Sequence, residues 1–317
     1  MFEKVERLRS PSGAVLAWRC QPASAPEKAV LLISHGLSEH AGRYQPFASF
    51  MAARGCHVYA HDHRGHGETV ANDAPLGQFA RKDGVAAVLV DLKAVRDMAT
   101  ARHPGLPIVL FGHSMGGLIA MNAGEEHPEL YDGLAIWNAN FNPGLAGRAA
   151  QGILAVEKML KGSDVPSGFL PRLTFGAWAN AVENPATPFD WLSHDPAEVQ
   201  KYVDDPLCGF EVSISLWIDL FDLAFRAPRL DRLRRLPRSL PIHLVGGGED
   251  PATNGGREIL WLEKRMGIAG LKRIDAVIYP QMRHETLNEV ERDTAMQGFA
   301  DWCLAVVKTE DRFESRP

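Results

Sequence analysis

Residues 109–121, VLFGHSMGGLIAM, set one hydroxyl, Ser114, between Gly112 and Gly116, with Gly117 following. The preceding PIVLFG (107–112) is short, apolar and bounded by Pro and Gly, which predicts a strand buried on both faces. The following MGGLIAMNAGEEHPEL (115–130) holds good helix formers and closes at His127 and Pro128, which predicts a helix of about three turns. Strand, tight turn and helix in this order put a serine on a strained turn above a sheet, the context of an activated nucleophile. The glycines then have a steric reason. A turn this sharp brings flanking backbone against strand and helix, and only a residue without a Cβ fits.

Working outward, AVLLISHG (29–36), HVYAHDHRG (57–65), GLAIWNA (133–139), PIHLVGGGED (241–250) and RIDAVIYP (273–280) are further apolar runs. VERLRSPSGAVLAWRC (5–20) reads as a two-stranded hairpin turning at Pro11 to Gly13. Helical patterns fill most intervals, among them 84–104 and 254–267. Continuous rather than alternating apolarity means strands covered on both faces. The prediction is an α/β fold, a mostly parallel sheet with helices on both sides. One interval does not fit: about a hundred residues separate Ala139 from Pro241, against roughly 10 to 15 for a crossover helix. Residues 1–140 and 231–317 are therefore expected to form the core, and 141–230 a helical cap inserted into it. The segment holds seven of the 14 Phe and three of the seven Trp. A small cap core uses most of these rings, and the rest are expected to line an apolar cavity between cap and sheet. No internal repeat or low-complexity tract occurs, and the polar tail 308–317 is expected to fray.

Composition narrows the function classes. The chain of 317 residues is 45% hydrophobic and 23% charged, ordinary values for a globular protein with a sizeable core. A net charge of −5 gives no reason to expect nucleic acid or a strongly anionic membrane as partner. Cys20, Cys56, Cys208 and Cys303 are widely spaced, which suggests neither a zinc site nor a disulfide framework; they read as reduced, mostly buried thiols. The N-terminus lacks an apolar leader core, and no stretch approaches the ~20 apolar residues of a membrane span. The expectation is a soluble, cytoplasmic protein.

A serine hydroxyl needs a base to take its proton, and the base needs an acid to fix its tautomer. In a strand–turn–helix setting the chain order is serine, acid, histidine. Four histidines follow Ser114: His127 ends the next helix, His194 lies in the insertion and His243 sits inside a predicted strand. His284, just past the last strand in YPQMRHETLNE (279–289), is the base predicted by position. Asp250 closes HLVGGGED, where three glycines let a strand end turn and point a carboxylate inward; it is preferred to its neighbour Glu249. The oxyanion of a tetrahedral intermediate needs backbone donors. The amide of Met115 is one, and that of Leu37, in the loop after AVLLISHG, is the second. His35 in that loop reads as structural, bonded to backbone.

These motifs resemble the α/β-hydrolase superfamily, and within it the monoacylglycerol lipase and lysophospholipase branch, related to the serine aminopeptidase group. The resemblance is carried by SHGLSEHAGRY (34–44), DHRGHG (62–67), GHSMGG (112–117) and HETLNE (284–289), which span the core. It implies an α/β-hydrolase fold, a triad of Ser114, Asp250 and His284, and an oxyanion hole at Leu37 and Met115, in agreement with the reading of the residues. Relatives of this fold can place the acid after the strand GLAIWNA instead, but no Asp or Glu occurs between Asp132 and Glu157. Glu68 departs from the small residue usual at its position.

The cluster His61, Asp62, His63 and His66 raises a metal-hydrolase alternative. Alternating strand faces and a Gly-rich turn make it backbone shaping instead. The function expected is a serine carboxylic-ester hydrolase acting on a small, lipid-like monoacyl ester through an acyl-enzyme. No metal, organic cofactor or obligate protein partner is expected, but transient membrane-surface contact through the cap is. Phe175 and Trp178 in TFGAWAN (174–180) are the substrate-lining candidates. The alternatives are a small-ester or aminopeptidase-like hydrolase on the same triad, and a non-catalytic ligand-binding module.

Overall fold

The computed structural model describes residues 2–308, so the tail predicted to fray lies, from 309 onward, outside the described residues. Among these residues eight strands form one sheet: β1 (Glu6–Arg9), β2 (Val15–Gln21), β3 (Ala29–Ser34), β4 (Cys56–His61), β5 (Ile108–His113), β6 (Gly133–Trp137), β7 (Ile242–Gly247) and β8 (Ile274–Tyr279). Their order is β1-β2-β4-β3-β5-β6-β7-β8. The β1–β2 hairpin and the β2–β4 pair are antiparallel, and every pair from β4 to β8 is parallel.

The predicted two-sided burial is visible residue by residue. On β3, Val30 and Leu32 pack in one apolar cluster while Leu31 and Ile33 pack in the other. On β5, Ile108 and Leu110 separate from Val109 and Phe111 in the same way. Helices α1 (Gln45–Ala52), α2 (Gly84–Arg102) and α3 (Met115–Glu126) follow β3, β4 and β5 in turn. Phe47 and Met51 of α1 share one cluster with Phe299 and Trp302, whereas Val88, Leu92 and Ile119 of α2 and α3 belong to the other. Both layers exclude water from strands whose own side chains are apolar on each face, the main favourable term for such a sheet.

Between β6 and β7 run α4 (Gly144–Lys161), α5 (Leu170–Leu173), α6 (Phe175–Asn180), α7 (Pro196–Asp204), α8 (Ile214–Arg226) and α9 (Leu230–Leu233). Helices α10 (Arg257–Ala269) and α11 (Arg292–Val307) complete the chain. The strands end earlier than the apolar runs suggest, because Gly248, Glu249 and Asp250 after β7 and His35 and Gly36 after β3 belong to loops at the carboxyl ends. The chain leaves β3 for β4 on one side and returns to β5 on the other, so β3 and β5 flank a switch point, where open α/β sheets form their ligand crevice. Cys56 and Cys303 are buried, but Cys20 and Cys208 are only half-buried, so burial of the thiols is less general than composition suggested. No helix among the described residues is long and apolar enough to cross a membrane.

Candidate active site

Ser114 follows β5 directly and has φ 54° and ψ −119°, a conformation most side chains avoid. Three backbone bonds hold it there: its N–H donates to Trp137 O at 2.8 Å, and its carbonyl accepts from Gly117 N and Leu118 N at 2.9 and 3.2 Å. A Cβ on Gly112 would lie 2.2 Å from Gly116 O, and one on Gly116 would lie 2.0 Å from Ser34 O. Glycine is therefore demanded by backbone on both sides of the serine. Strain of this kind costs roughly 1–3 kcal/mol and persists only where the surroundings over-determine it.

His284, past β8, sets Nδ1 at 3.1 and 3.0 Å from the two Asp250 carboxylate oxygens. A carboxylate only accepts, so Nδ1 carries the proton and Nε2 is left as the free acceptor. Asp250 is fully buried, and its remaining lone pairs take Ala252 N (2.9 Å), Thr253 Oγ1 (2.8 Å) and Asn138 Nδ2 (3.2 Å). Burial alone would raise the Asp250 carboxyl; the His284 ring and these donors reverse that and hold it below its ordinary value. Glu249 turns the other way, with Oε2 3.1 Å from His194 Nε2 and half of its side chain exposed. The structure pairs His284 with Asp250 and leaves Glu249 outside.

Ser34 on β3 stands opposite Gly112 on β5, which brings the loop 35–39 against the serine. A Cβ on Gly36 would lie 3.4 Å from Ser114 Cβ. The amides of Leu37 and Met115 make no hydrogen bond to protein among the described residues, and both residues line the cavity with Ser114. Met115 also opens α3, whose first-turn N–H groups carry the positive end of the helix dipole. His35 Nε2 accepts from His63 N at 2.9 Å, so Nδ1 donates to Gly36 O at 2.8 Å; the ring shapes the loop, as expected. The cluster read as a possible metal site does not converge on one point. Asp62 accepts Ala41 N and Glu68 N at 2.9 and 2.8 Å, while burial lowers His61 and His66 to about 3 and keeps both rings neutral. Glu68, the departure from the family pattern, pairs with Arg7 and Arg19 at 3.2 and 3.3 Å across the β1–β2 edge.

Ser114, His284, Leu37 and Met115 open into one cavity of about 200 Å³. Phe175, Trp178, Trp191, Trp217, Leu220 and Phe221, all from the segment 141–230, line it. The Trp178 ring is 6.4 Å from His284 and that of Trp191 is 5.0 Å. The walls are mostly apolar, with Asn140, Thr174 and Tyr202 among the lining besides the groups around Ser114.

Residues 25–291 match the family model described as serine aminopeptidase, S33. The chain belongs to this family. It is a hydrolase of the esterase and lipase type within the α/β-hydrolase superfamily. A monoglyceride lipase of Mus musculus is 26% identical over 298 residues, covering 91% of this chain and 89% of the relative. A monoacylglycerol lipase of Mycolicibacterium smegmatis is 26% identical over 283 residues, covering 88% and 89%. A thermostable carboxyl esterase from Bacillus coagulans superimposes with a TM-score of 0.85 at 23% identity, over 96% of this chain and 98% of that one, which establishes the likeness of fold.

Two features of this hydrolase were missed in the sequence. Trp191 packs closer to His284 than Trp178 does, and its carbonyl accepts His284 N at 3.4 Å; only a fold could select it among the Trp residues. The second is a buried charge cluster beneath the site. Arg43 donates to Glu39 Oε2 (2.6 Å) and to both oxygens of Glu285 (2.5 and 2.7 Å), and Tyr44 Oη donates to Glu39 Oε1 (2.8 Å). His113 lies 3.6 Å from Glu39 through Nδ1 and donates from Nε2 to His284 O at 3.0 Å. Burial opposes every charge here. The partners prevail: Glu39 falls well below the carboxylate range, Glu285 falls, and Glu39 raises His113 above its ordinary value. Arg43, His113 and the two carboxylates thus tie the loops of Gly36, Ser114 and His284 together. The signal was present in SHGLSEHAGRY and HETLNE, where Glu39, Arg43 and Glu285 sit in the family motifs.

Proposed function

We propose that this hydrolase cleaves monoacyl lipid esters, monoacylglycerols ahead of lysophospholipids, by acyl transfer through Ser114. His284 takes the hydroxyl proton as Ser114 attacks the ester carbonyl, and returns it to the departing alcohol. Asp250 orients the imidazole, and the amides of Leu37 and Met115 hold the oxyanion, worth on the order of 3 kcal/mol per donor. Water, deprotonated by His284, then releases the acid from the acyl-enzyme. The observation that carries this reading is one cavity with Ser114 and the His284–Asp250 pair at its base and the aromatic rings of segment 141–230 over it. The segment is read as a cap that receives a single acyl chain, the substrate class named for the two lipase relatives. Its outer side supports transient contact with a lipid surface: Leu145, Met159 and Leu160 on α4 and Phe169 and Leu173 beside it are exposed, Leu145 to 89% and Met159 to 78%.

A fluorophosphonate probe tests the nucleophile. Wild-type protein takes the label and Ser114→Ala does not, with turnover lower by several orders of magnitude in a folded variant. A variant keeping more than about a tenth of the wild-type rate sinks the assignment. Esters of increasing length test the substrate. Each buried methylene contributes up to about 0.8 kcal/mol, so kcat/KM climbs a few-fold per carbon from C2 until the cavity is full, and Phe175→Ala or Trp178→Ala shifts the optimum. A maximum at C2 with steady decline points instead to a small-ester or aminopeptidase-like activity.

A further inference from the structure

β6 ends at Trp137, and Asn138 turns the chain with a φ of 50° at 1% exposure. Its N–H donates to Val245 O of β7 at 2.7 Å, which anchors the residue on the sheet. Its side chain then spans two loops. Nδ2 donates to Asp250 Oδ2 at 3.2 Å, and Oδ1 accepts from Thr286 Oγ1 at 3.2 Å. The direction of the amide is fixed by chemistry, because a carboxylate oxygen cannot donate and must face the NH2. Two residues on, Asn140 Nδ2 donates to Ala252 O at 3.0 Å, so the exit of β6 grips the turn of Asp250 twice.

The other donors to Asp250 differ in kind. Ala252 N and Thr253 Oγ1 belong to the aspartate's own turn and move with it. Asn138 alone among these three is held by a neighbouring strand and also reaches Thr286, two residues beyond His284. An aspartate in its place would put two carboxylates at hydrogen-bond distance, where like charges disfavour double ionisation.

We propose that Asn138 is a positioning residue for hydrolysis: it locks the turn bearing Asp250 to the loop bearing His284, so that the imidazole keeps its aim at Ser114. The proposal rests on the reading of Ser114, His284 and Asp250 given above. Asn138 touches no reacting atom and acts through the acid.

The experiment compares wild type with Asn138→Ala and Asn138→Asp, with rates expressed per active site titrated by a fluorophosphonate, so that misfolded protein drops out. Removing one hydrogen bond to a charged group lowers kcat of Asn138→Ala about 10- to 100-fold, with KM kept within about two-fold. Asn138→Asp puts a second carboxylate against Asp250; the two resist ionising together and share a proton, so the charge facing the imidazole changes and the rising limb of kcat/KM with pH is displaced by at least about half a unit. A merely structural role changes the titratable fraction but neither kcat per site nor the limb, and that result would overturn the proposal. Wild-type protein that takes no label overturns the underlying reading and this one with it; a labelled wild type beside two variants with unchanged kcat and limb overturns this one alone.

Discussion

The elbow around Ser114 and the segment between β6 and β7 treat glycine in opposite ways. A Cβ at Gly116 would sit 2.0 Å from a backbone oxygen of β3, whereas a Cβ at Gly152, inside α4, meets nothing within 4 Å. The surroundings differ accordingly. Ile119, Ala120 and Met121 after the elbow are fully buried, while Met159 and Leu160 on α4 are largely exposed. Where backbone packs against backbone, a single atom decides whether the fold closes, and the sequence has little choice. Where a helix lies on the outside, only an average apolar character is required, and many sequences satisfy it.

Gly116→Ala should break the first half of this contrast most severely. The clash is with sheet backbone rather than a flexible side chain, so a loss of more than about 3 kcal/mol in urea unfolding, or no soluble protein, is expected. A variant of wild-type stability would mean that the elbow is not over-determined. Next in size is Asp250→Asn, which leaves the packing but offers His284 the wrong tautomer partner; about 10³- to 10⁴-fold in kcat is expected. Glu249→Gln, one residue away and half exposed, should stay near wild type. If the order of these two is reversed, the acid has been assigned to the wrong neighbour.

A smaller effect follows from the charge cluster. His113 is raised in the folded protein, so above the ordinary histidine value near 6.5 the native state keeps a proton that the unfolded chain has lost. Stability contributed by His113 is therefore complete below that pH and is lost as pH rises through the folded value. Glu39, Glu285 and Asp250 are lowered, so their contribution is present above the ordinary carboxylate range and is lost as pH falls through their folded values. Melting temperatures followed from pH 6 to 9 should decline in wild type and decline less in His113→Asn; parallel curves would remove His113 from the account. Smallest of all, Gly152→Ala should stabilise by up to about 1 kcal/mol, because alanine restricts the unfolded chain and meets open space in the helix. A loss of stability there would show α4 to be as tightly specified as the elbow.

The sequence by itself determined the layered α/β sheet, because strands covered on both faces must be apolar without alternation, as in AVLLIS and PIVLF. It also singled out Ser114 and Asp250, each at the end of such a run beside glycines that only a sharp turn explains, and His284 by its place just past the last run. The glycines that mark the turn at Ser114 lie within a few positions of it, and that is why it is legible in one dimension, although the backbone that demands Gly116 is Ser34 of β3. Tertiary structure alone decided the rest. Asn138 and His284 meet at Asp250 from two other loops, and Arg43 meets Glu285 across 242 positions of chain. Trp191 lies nearer His284 than Trp178 does because the short turn Asp190–Leu192 docks against Arg283, whose guanidinium donates to Asp190 O at 2.8 Å. Such contacts join residues whose types are common everywhere in the chain. Composition and spacing carry no trace of which copies meet, since that choice is made by sheet order and by the path of the segment folded over it.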